Sequence, residues 1–201
     1  MTPPEVESLQ SRIRDRVRAE VAEAAVGLFL ERGFDETTVD EICSVAGLSR
    51  RTFFRYFQGK EDVVVSEFTA QAELGCAAYL SRPAGGDEWL ALRNSMTPLI
   101  RWVENDRARA LALFRLVDTS PVLRASYLSR VDRWRASLTA LISAEVGVAS
   151  DGGLRIDLVS SASIGAYLAV TRAWVRSEGV DSMETLFDEA FAVLRPDLSL
   201  S

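Results

Sequence analysis

Residues 37–60, TTVDEICSVAGLSRRTFFRYFQGK, place the strongest constraint on what this chain can fold into. Thr38 and Glu41 have the spacing of a capping box, which starts a helix, and Gly47 predicts the turn that ends it. Ser49 is a good N-cap for a second helix. Two short helices around a tight glycine turn predict a helix-turn-helix motif over about residues 38–57.

The second helix of this motif has two different faces. Phe53 and Phe57 lie four residues apart, about one helical turn, so both are predicted to face the core. The other face carries basic and polar side chains, namely Arg50, Arg51, Thr52, Arg55 and Tyr56. An isolated charged stretch is usually a solvated helix face, but the turn, the caps and the two phenylalanines favour a DNA-reading helix.

Net charge supports a nucleic-acid partner only locally. The whole chain has 23 Lys and Arg against 29 Asp and Glu, a net charge of −6, which argues against a polyanion along most of the surface. Between Ile42 and Lys60, however, four residues are basic and none is acidic. Helix N-termini with nearby cations bind phosphate groups. Lys60 is also the only lysine in the chain, so we expect it to have a specific role.

Residues 17–65 resemble the N-terminal DNA-binding domain of the TetR family of bacterial transcriptional regulators. The resemblance rests on paired threonines, an Ala-Gly turn, an aromatic pair and a phosphate-binding lysine, which fall on Thr37 and Thr38, Ala46 and Gly47, Phe54 and Phe57, and Lys60. The chain departs from the family at Phe54, where tyrosine is frequent and its hydroxyl contacts phosphate. We expect the hydroxyl of Tyr56 to make that contact instead. The resemblance implies a three-helix DNA-binding head on a larger helical body that binds ligand and dimerises.

We assign roles within the head on this basis. The helix that starts at Ser49 is expected to enter a major groove of double-stranded operator DNA. The predicted base-reading residues are Arg50, Arg51, Thr52 and Arg55. The predicted phosphate-binding residues are Thr37, Thr38, Tyr56 and Lys60. Ser49, at the start of this helix, is also predicted to contact the DNA.

No pattern in the sequence indicates catalysis. The chain has no histidine, which removes the commonest general base and the commonest metal ligand. It also lacks a G-x-S-x-G motif, a phosphate-binding glycine loop and a C-x-x-C pair. Cys43 and Cys76 lie far apart and are predicted to be small buried residues. We therefore predict no enzymatic activity, catalytic residue, metal or cofactor.

The remaining sequence predicts helices and no strand. We expect an all-α fold of nine helices, three in a head over residues 10–62 and six in a body over residues 63–201. Pro98 is predicted to kink a helix that runs from Asp87 to Glu104. The N-terminus does not have the pattern of a signal peptide, and no apolar run reaches the ~18 residues of a membrane span, which predicts a soluble cytoplasmic protein without a membrane partner.

Two helices near the C-terminus are predicted to form a dimer interface. Small residues recur every four positions on the first of them, at Ser161, Gly165, Ala169 and Ala173, and such a face lets another helix approach closely. The second has an apolar stripe made of Leu186, Phe187, Ala190, Phe191 and Leu194. The resemblance implies a homodimer built from such a pair, whereas the alternative is that both faces pack within one subunit.

Aromatic and apolar side chains of the body are predicted to line a ligand cavity. These residues are Trp89, Met96, Trp102, Phe114, Tyr127, Trp134 and Tyr167. The alternative for each is an ordinary core position. The resemblance implies a small-molecule effector, for which this lining predicts an apolar or aromatic compound, with Asn94, Thr97 or Arg101 as its polar contacts.

The sequence as a whole predicts a homodimeric transcriptional repressor that a small molecule releases from its operator. Three alternatives remain open at this point. The first alternative is an activator, or a regulator without ligand. The second is a helical ligand-binding protein whose head has lost operator binding. The third, which fits the composition least, is an all-α enzyme.

Overall fold

The computed structural model describes residues 9–81, 86–146 and 152–195, and every regular element in these ranges is an α-helix. The all-α prediction is confirmed. The helices are α1 (Leu9–Arg32), α2 (Val39–Val45), α3 (Arg50–Tyr56), α4 (Lys60–Leu80), α5 (Glu88–Asn94), α6 (Thr97–Asn105), α7 (Arg107–Thr119), α8 (Pro121–Val146), α9 (Gly152–Arg176) and α10 (Met183–Leu194).

The first three helices and the start of α4 pack together, and their buried side chains are continuous with the core of the body. Gly33 ends α1 with φ of 93°, a left-handed conformation that favours glycine. Phe29 and Phe34 then pack ring against ring at 5.0 Å across this turn. Phe53 and Phe57 of the motif are also buried, at 0% and 2% exposed, which confirms their predicted inward orientation.

Helix α4 connects this head to the body. It packs against α1 at one end and against α6 and α8 along its length. At Gly75 of α4, a Cβ atom would lie 2.6 Å from the carbonyl oxygen of Ser95, so that only glycine fits there. The body is completed by α8, α9 and α10, which pack successively against one another.

The predicted kink at Pro98 is wrong in form. Instead of bending one helix, Pro98 lies in the first turn of α6, after α5 has ended at Asn94. A proline has no N–H, and the first N–H groups of a helix have no partner within the helix, so the first turn accepts proline without loss. The described part of the body consequently has seven helices where six were predicted.

Helix α9 divides into a buried side and an exposed side. Tyr167 and Trp174 are buried against the rest of the body. Ser161, Gly165 and Ala169 are exposed, and apart from its chain neighbours and the adjacent backbone of α9, no heavy atom of the described residues lies within 4 Å of a Cβ built on Gly165. The small-residue face, which continues to the half-buried Ala173, thus projects away from the subunit core.

The prediction for α10 needs correction. Phe187 and Phe191 are 0% and 3% exposed because they pack inward against the body, so they offer no surface to a partner. Leu186 is half-buried at the edge of that core. Amphipathic periodicity predicted the stripe but could not tell whether it faces the same subunit or another one.

By length and composition alone, one helix among the described residues meets the criteria for a membrane span, Gly153–Arg176. It packs against α8 on one side and α10 on another, and core helices of soluble proteins meet the same criteria.

Candidate DNA-binding surface and internal cavity

The helix-turn-helix begins with the predicted capping box. The Thr38 hydroxyl accepts a hydrogen bond from the Glu41 backbone N–H at 3.2 Å, and the Glu41 carboxylate accepts one from the Thr38 backbone N–H at 2.8 Å. Hydrogen bonds from the Thr38 backbone N–H, which has the larger effect, and from the Thr38 hydroxyl favour the ionised Glu41 carboxylate and so lower its pKa. Gly47 turns the chain with φ of 66°. The Ser49 hydroxyl caps α3 by accepting from the Thr52 backbone N–H at 3.2 Å.

The outer face of α3 presents arginines in two different states. Arg50 donates to both carboxylate oxygens of Asp40 on α2, each at 2.8 Å, which ties the two helices together. Arg51 is exposed and has no hydrogen-bond or ion-pair partner in the described part of the chain. An unpaired guanidinium in the first turn of an exposed helix is the group most available for reading a base edge.

The rest of this face is polar or aromatic. Arg55 donates to the Tyr56 hydroxyl at 2.9 Å and lies over its ring. Thr52 shares a 3.0 Å hydrogen bond with Ser49. Phe54 is 48% exposed, so it adds an apolar contact surface beside the arginines.

Thr37 does not lie on this surface, contrary to the prediction. Its side chain is buried, and its hydroxyl donates to the carbonyl oxygen of Gly33 at 2.8 Å. The bond holds the loop that follows α1. Thr37 therefore has no side-chain atom available to a phosphate, whereas Thr38 is exposed.

Lys60 is also held within the head. Its ammonium group donates to three backbone carbonyls, those of Phe34 at 2.7 Å, Asp35 at 3.1 Å and Thr37 at 2.9 Å. The same nitrogen lies 4.6 Å from the centre of the Phe34 ring. Because a lysine ammonium has three donors, all are used. The phosphate role implied by the family resemblance is not supported by this geometry, in which Lys60 clamps the loop between α1 and α2.

Lys60→Met is expected to lower the free energy of unfolding by about 2–3 kcal/mol, because a charged donor is lost and three carbonyls lose their partner. Urea denaturation measures this. The salt dependence of operator binding should keep the wild-type slope, whereas a lost phosphate contact would flatten it by about 1 per subunit. Arg16→Met is the control, since Arg16 forms only an exposed pair with Glu20 and should change stability by less than about 1 kcal/mol.

The head contains one more arginine contact, which was not predicted from the sequence. Arg18 of α1 donates to the carbonyl oxygen of Tyr56 at 2.6 Å and lies 4.7 Å from the centre of the Phe57 ring. It thereby fixes the C-terminal end of α3 against α1. The contact joins residues 38 positions apart, so no local pattern signals it.

A cavity of about 610 Å³ that opens to solvent lies between α4 and α8, with Tyr167 of α9 also in its lining. Three of the seven predicted ligand residues line it, namely Tyr127, Trp134 and Tyr167. They are joined by apolar residues of α4 that were not predicted, among them Phe68, Ala72 and Leu80. A cavity of this size accommodates a small organic molecule.

The other four predicted ligand residues do not line this cavity. Met96 is fully buried in the core, and Trp89 packs at 4.9 Å on Phe191 near the C-terminus. Trp102 and Phe114 pack around Phe68, at 5.7 Å and 5.0 Å between ring centres. Helical spacing does not distinguish a core aromatic residue from one beside a cavity.

The cavity has a few buried polar groups. The hydroxyls of Tyr127 and Tyr167 are 2.6 Å apart in a buried hydrogen bond, and burial raises the pKa of both. Trp134 is 7% exposed, and its indole N–H makes no conventional hydrogen bond within the described residues. Its polar neighbour is the thiol of Cys76, a weak acceptor, and burial raises the pKa of that thiol.

The polar contacts that we predicted for a ligand are not in the cavity wall. Asn94 and Arg101 are exposed, and Thr97 is half-buried at the start of α6. The charged residues that do line the cavity are Glu73, Arg130 and Arg133. Within the described ranges, no group of three or more Cys, Asp or Glu side chains is arranged to hold a metal ion.

Comparison with known proteins accounts for both parts of the chain. Residues 21–66 match the family model described as bacterial regulatory proteins, tetR family, and residues 87–199 match the model of the MftR C-terminal domain. The solved structures of FadR from Bacillus subtilis, in complex with stearoyl-CoA, and of FadR from Thermus thermophilus, in complex with lauroyl-CoA, share the fold. The Bacillus subtilis structure has a TM-score of 0.60 and 18% sequence identity, and the match covers 88% of this chain and 96% of that one. The Thermus thermophilus structure has a TM-score of 0.57 and 23% sequence identity, and the match covers 92% of this chain and 96% of that one.

Curated relatives match over most of their length. The chain is 30% identical to the HTH-type transcriptional regulator TcmR of Streptomyces glaucescens, over 97% of this chain and 90% of TcmR. It is 27% identical to the putative mycofactocin biosynthesis transcriptional regulator MftR of Mycobacterium tuberculosis, over 90% of both chains. With a capped helix-turn-helix, a basic recognition face and a matching helical body, this chain belongs to the TetR family of DNA-binding transcriptional regulators.

Proposed function

We propose that the protein is a cytoplasmic, homodimeric repressor that an elongated apolar effector releases from its operator, and that it acts by binding without catalysis. The head would span residues 10–62 and the body residues 63–201. One observation carries the proposal. Helix α4 starts four residues after the recognition helix α3 ends, and the same helix forms a wall of the cavity. A ligand that shifts α4 therefore also shifts the position of α3.

The operator contacts follow from the exposed face of α3. Arg51 is proposed to read a base edge, with Thr52 and Arg55 beside it. Arg50 adds positive charge, but its orientation is set by Asp40. Thr38, Ser49 and Tyr56 remain proposed backbone contacts at the edges of the motif, since phosphates fix register without carrying sequence information.

The proposed dimer uses the exposed side of α9. Leu154 and Leu158 are 72% and 60% exposed there, and the face continues through Ser161, Gly165 and Ala169. Exposed leucines next to small residues form a surface that favours close helix packing. A twofold axis through this face would place two heads on two half-sites of a near-palindromic operator.

The effector class is proposed from the cavity lining and from the structural relatives. Most lining side chains are apolar or aromatic, and the two FadR structures were solved with stearoyl-CoA and lauroyl-CoA. A fatty acyl chain or a similarly elongated apolar group suits a cavity of about 610 Å³.

A titration with lauroyl-CoA tests this proposal. Operator DNA is first selected from a random library, and its affinity is then measured with and without the ligand. The ligand should quench Trp134 fluorescence and weaken operator binding by a factor of about 5–150. Ala72→Phe should fill the cavity and abolish both effects, whereas Ala77→Phe, on an exposed position of the same helix, should preserve them. Quenching without any change in operator affinity would contradict the coupling.

A further inference from the structure

An ion pair connects the cavity to the end of the recognition helix. Arg130 of α8 donates from Nη2 to Oδ1 of Asp62 in the first turn of α4. The two side chains are 26% and 14% exposed, which makes this one of the least solvent-exposed ion pairs of the described chain. Removing one member of such a pair leaves an uncompensated charge that water screens poorly.

Asp62 also contacts the segment that directly follows the recognition helix. Its second oxygen, Oδ2, accepts the backbone N–H of Gln58 at 3.1 Å. Gln58 directly follows Phe57, the C-cap of α3. One carboxylate therefore holds α8 with one oxygen and the exit of the recognition helix with the other.

Arg130 also belongs to the cavity. It lines the 610 Å³ cavity together with Tyr127 and Trp134, which lie three residues before it and four after it on the same face of α8. It further lines an adjoining cleft of about 410 Å³ that includes Gln58, Gly59 and Asp62. The guanidinium thus lies between the ligand space and the loop behind α3.

The charges around the cavity favour an anion beside Arg130. Arg130 and Arg133 line the cavity with positive charge and Glu73 with a negative charge, while Asp62, which neutralises Arg130 in this structure, lies outside the lining. Glu73 and Arg133 are both exposed, so water screens them, whereas the Arg130 side chain is only 26% exposed. A guanidinium has five N–H donors in a planar fork, so it can transfer donors from one carboxylate to another anion of similar shape.

We propose that the effector is an amphipathic anion, an apolar chain ending in a carboxylate or phosphate, and that its anionic group takes Arg130 away from Asp62. The inference rests on the proposed function of the cavity as the effector site. Once Arg130 turns to the ligand, Asp62 loses its counter-charge and the loop at residues 57–60 loosens. An effector shifts an equilibrium only by its differential affinity for the two states, and the anion supplies that difference.

Two probes of equal chain length, dodecanoate and dodecanol, separate the role of the charge from that of the chain. Amide hydrogen exchange of peptides covering residues 57–62 reports on the Gln58 hydrogen bond without any operator DNA. In wild type, dodecanoate should accelerate this exchange by roughly a factor of 5 or more, the lower end of ordinary coupling, and dodecanol should not. Operator affinity should fall with dodecanoate by a similar factor.

Matched variants identify the residue responsible. In Arg130→Gln, the difference between dodecanoate and dodecanol should disappear. Arg135→Gln is the control, because Arg135 lies on the same helix and pairs with the exposed Asp132. Asp62→Asn leaves the cavity lining intact, so dodecanoate should still quench Trp134 fluorescence while no longer changing exchange at residues 57–62.

The outcomes separate this inference from the proposed function. If dodecanol releases operator from wild type as well as dodecanoate does, the cavity is an effector site but the Arg130 mechanism is wrong. If Arg130→Gln keeps the wild-type preference for dodecanoate, the mechanism is also wrong. If both probes bind the cavity and neither changes operator affinity, the proposed function itself fails, and the inference fails with it.

Discussion

Gly165→Leu is expected to turn the proposed dimer into a monomer and to abolish operator binding at concentrations where wild type is saturated. Gly165 lies in the middle of the exposed small-residue face of α9, with Ser161 and Ala169 one turn to either side. A leucine there would hold the partner helix away. Overpacking costs about 1–3 kcal/mol per site, and the twofold axis doubles the number of sites.

The subunit itself should tolerate this substitution, because within the described chain nothing beyond the adjacent backbone of α9 lies within 4 Å of a Cβ at Gly165. Loss of operator binding would then reflect the second half-site, since one head alone makes too few contacts for tight binding. Sedimentation equilibrium measures the association and circular dichroism checks the helices. Gly27→Leu is the matched control, an exposed glycine inside α1 that likewise has nothing beyond its own helix backbone within 4 Å of a Cβ among the described residues. A Gly165→Leu protein that stays dimeric and binds operator normally would place the interface elsewhere.

Arg51→Ala is expected to weaken binding to the selected operator by about 1–3 kcal/mol per half-site and to relax preference at one base pair in each. Arg51 is exposed, lies in the first turn of α3 and has no partner among the described residues. Its guanidinium therefore has all of its donors available for a guanine edge. Competition binding against operators changed at single positions measures both effects.

Two further substitutions make this assignment specific. Arg51→Lys should keep the charge but lose the planar fork, so base preference should fall more than the binding to random DNA. Arg16→Ala removes an equal charge from an exposed ion pair on α1 and should leave base preference unchanged. If Arg51→Ala weakened all sequences equally, Arg51 would be a phosphate contact and not a base-reading residue.

Local sequence patterns predicted the helix-turn-helix well. The Thr38–Glu41 capping box, the left-handed turn at Gly47 and the Ser49 cap depend on residues within three or four positions of one another. Their hydrogen bonds form in the first turn of a helix whatever surrounds it. The inward orientation of Phe53 and Phe57 follows from the helical period in the same way.

Lys60 and Thr37 show where such patterns stop. The family resemblance implied that both side chains bind phosphate. In the structure, each donates instead to backbone carbonyls of the loop after α1, which lie up to 26 residues away in sequence. The chemical type of a side chain predicts which kinds of group it can hydrogen-bond to. Only the packing of α1 against α4 decides that the carbonyls come within reach.

The body shows the same division on a larger scale. The sequence by itself determined that this chain forms helices with apolar and small-residue faces, because helical period and caps are local properties. Only the tertiary structure decided that Phe187 and Phe191 face inward, that Phe68 and Ala72 line the cavity, and that Arg130 meets Asp62. Each of these depends on which helix packs on which, and the choice of packing partner leaves no periodic signal in either segment alone.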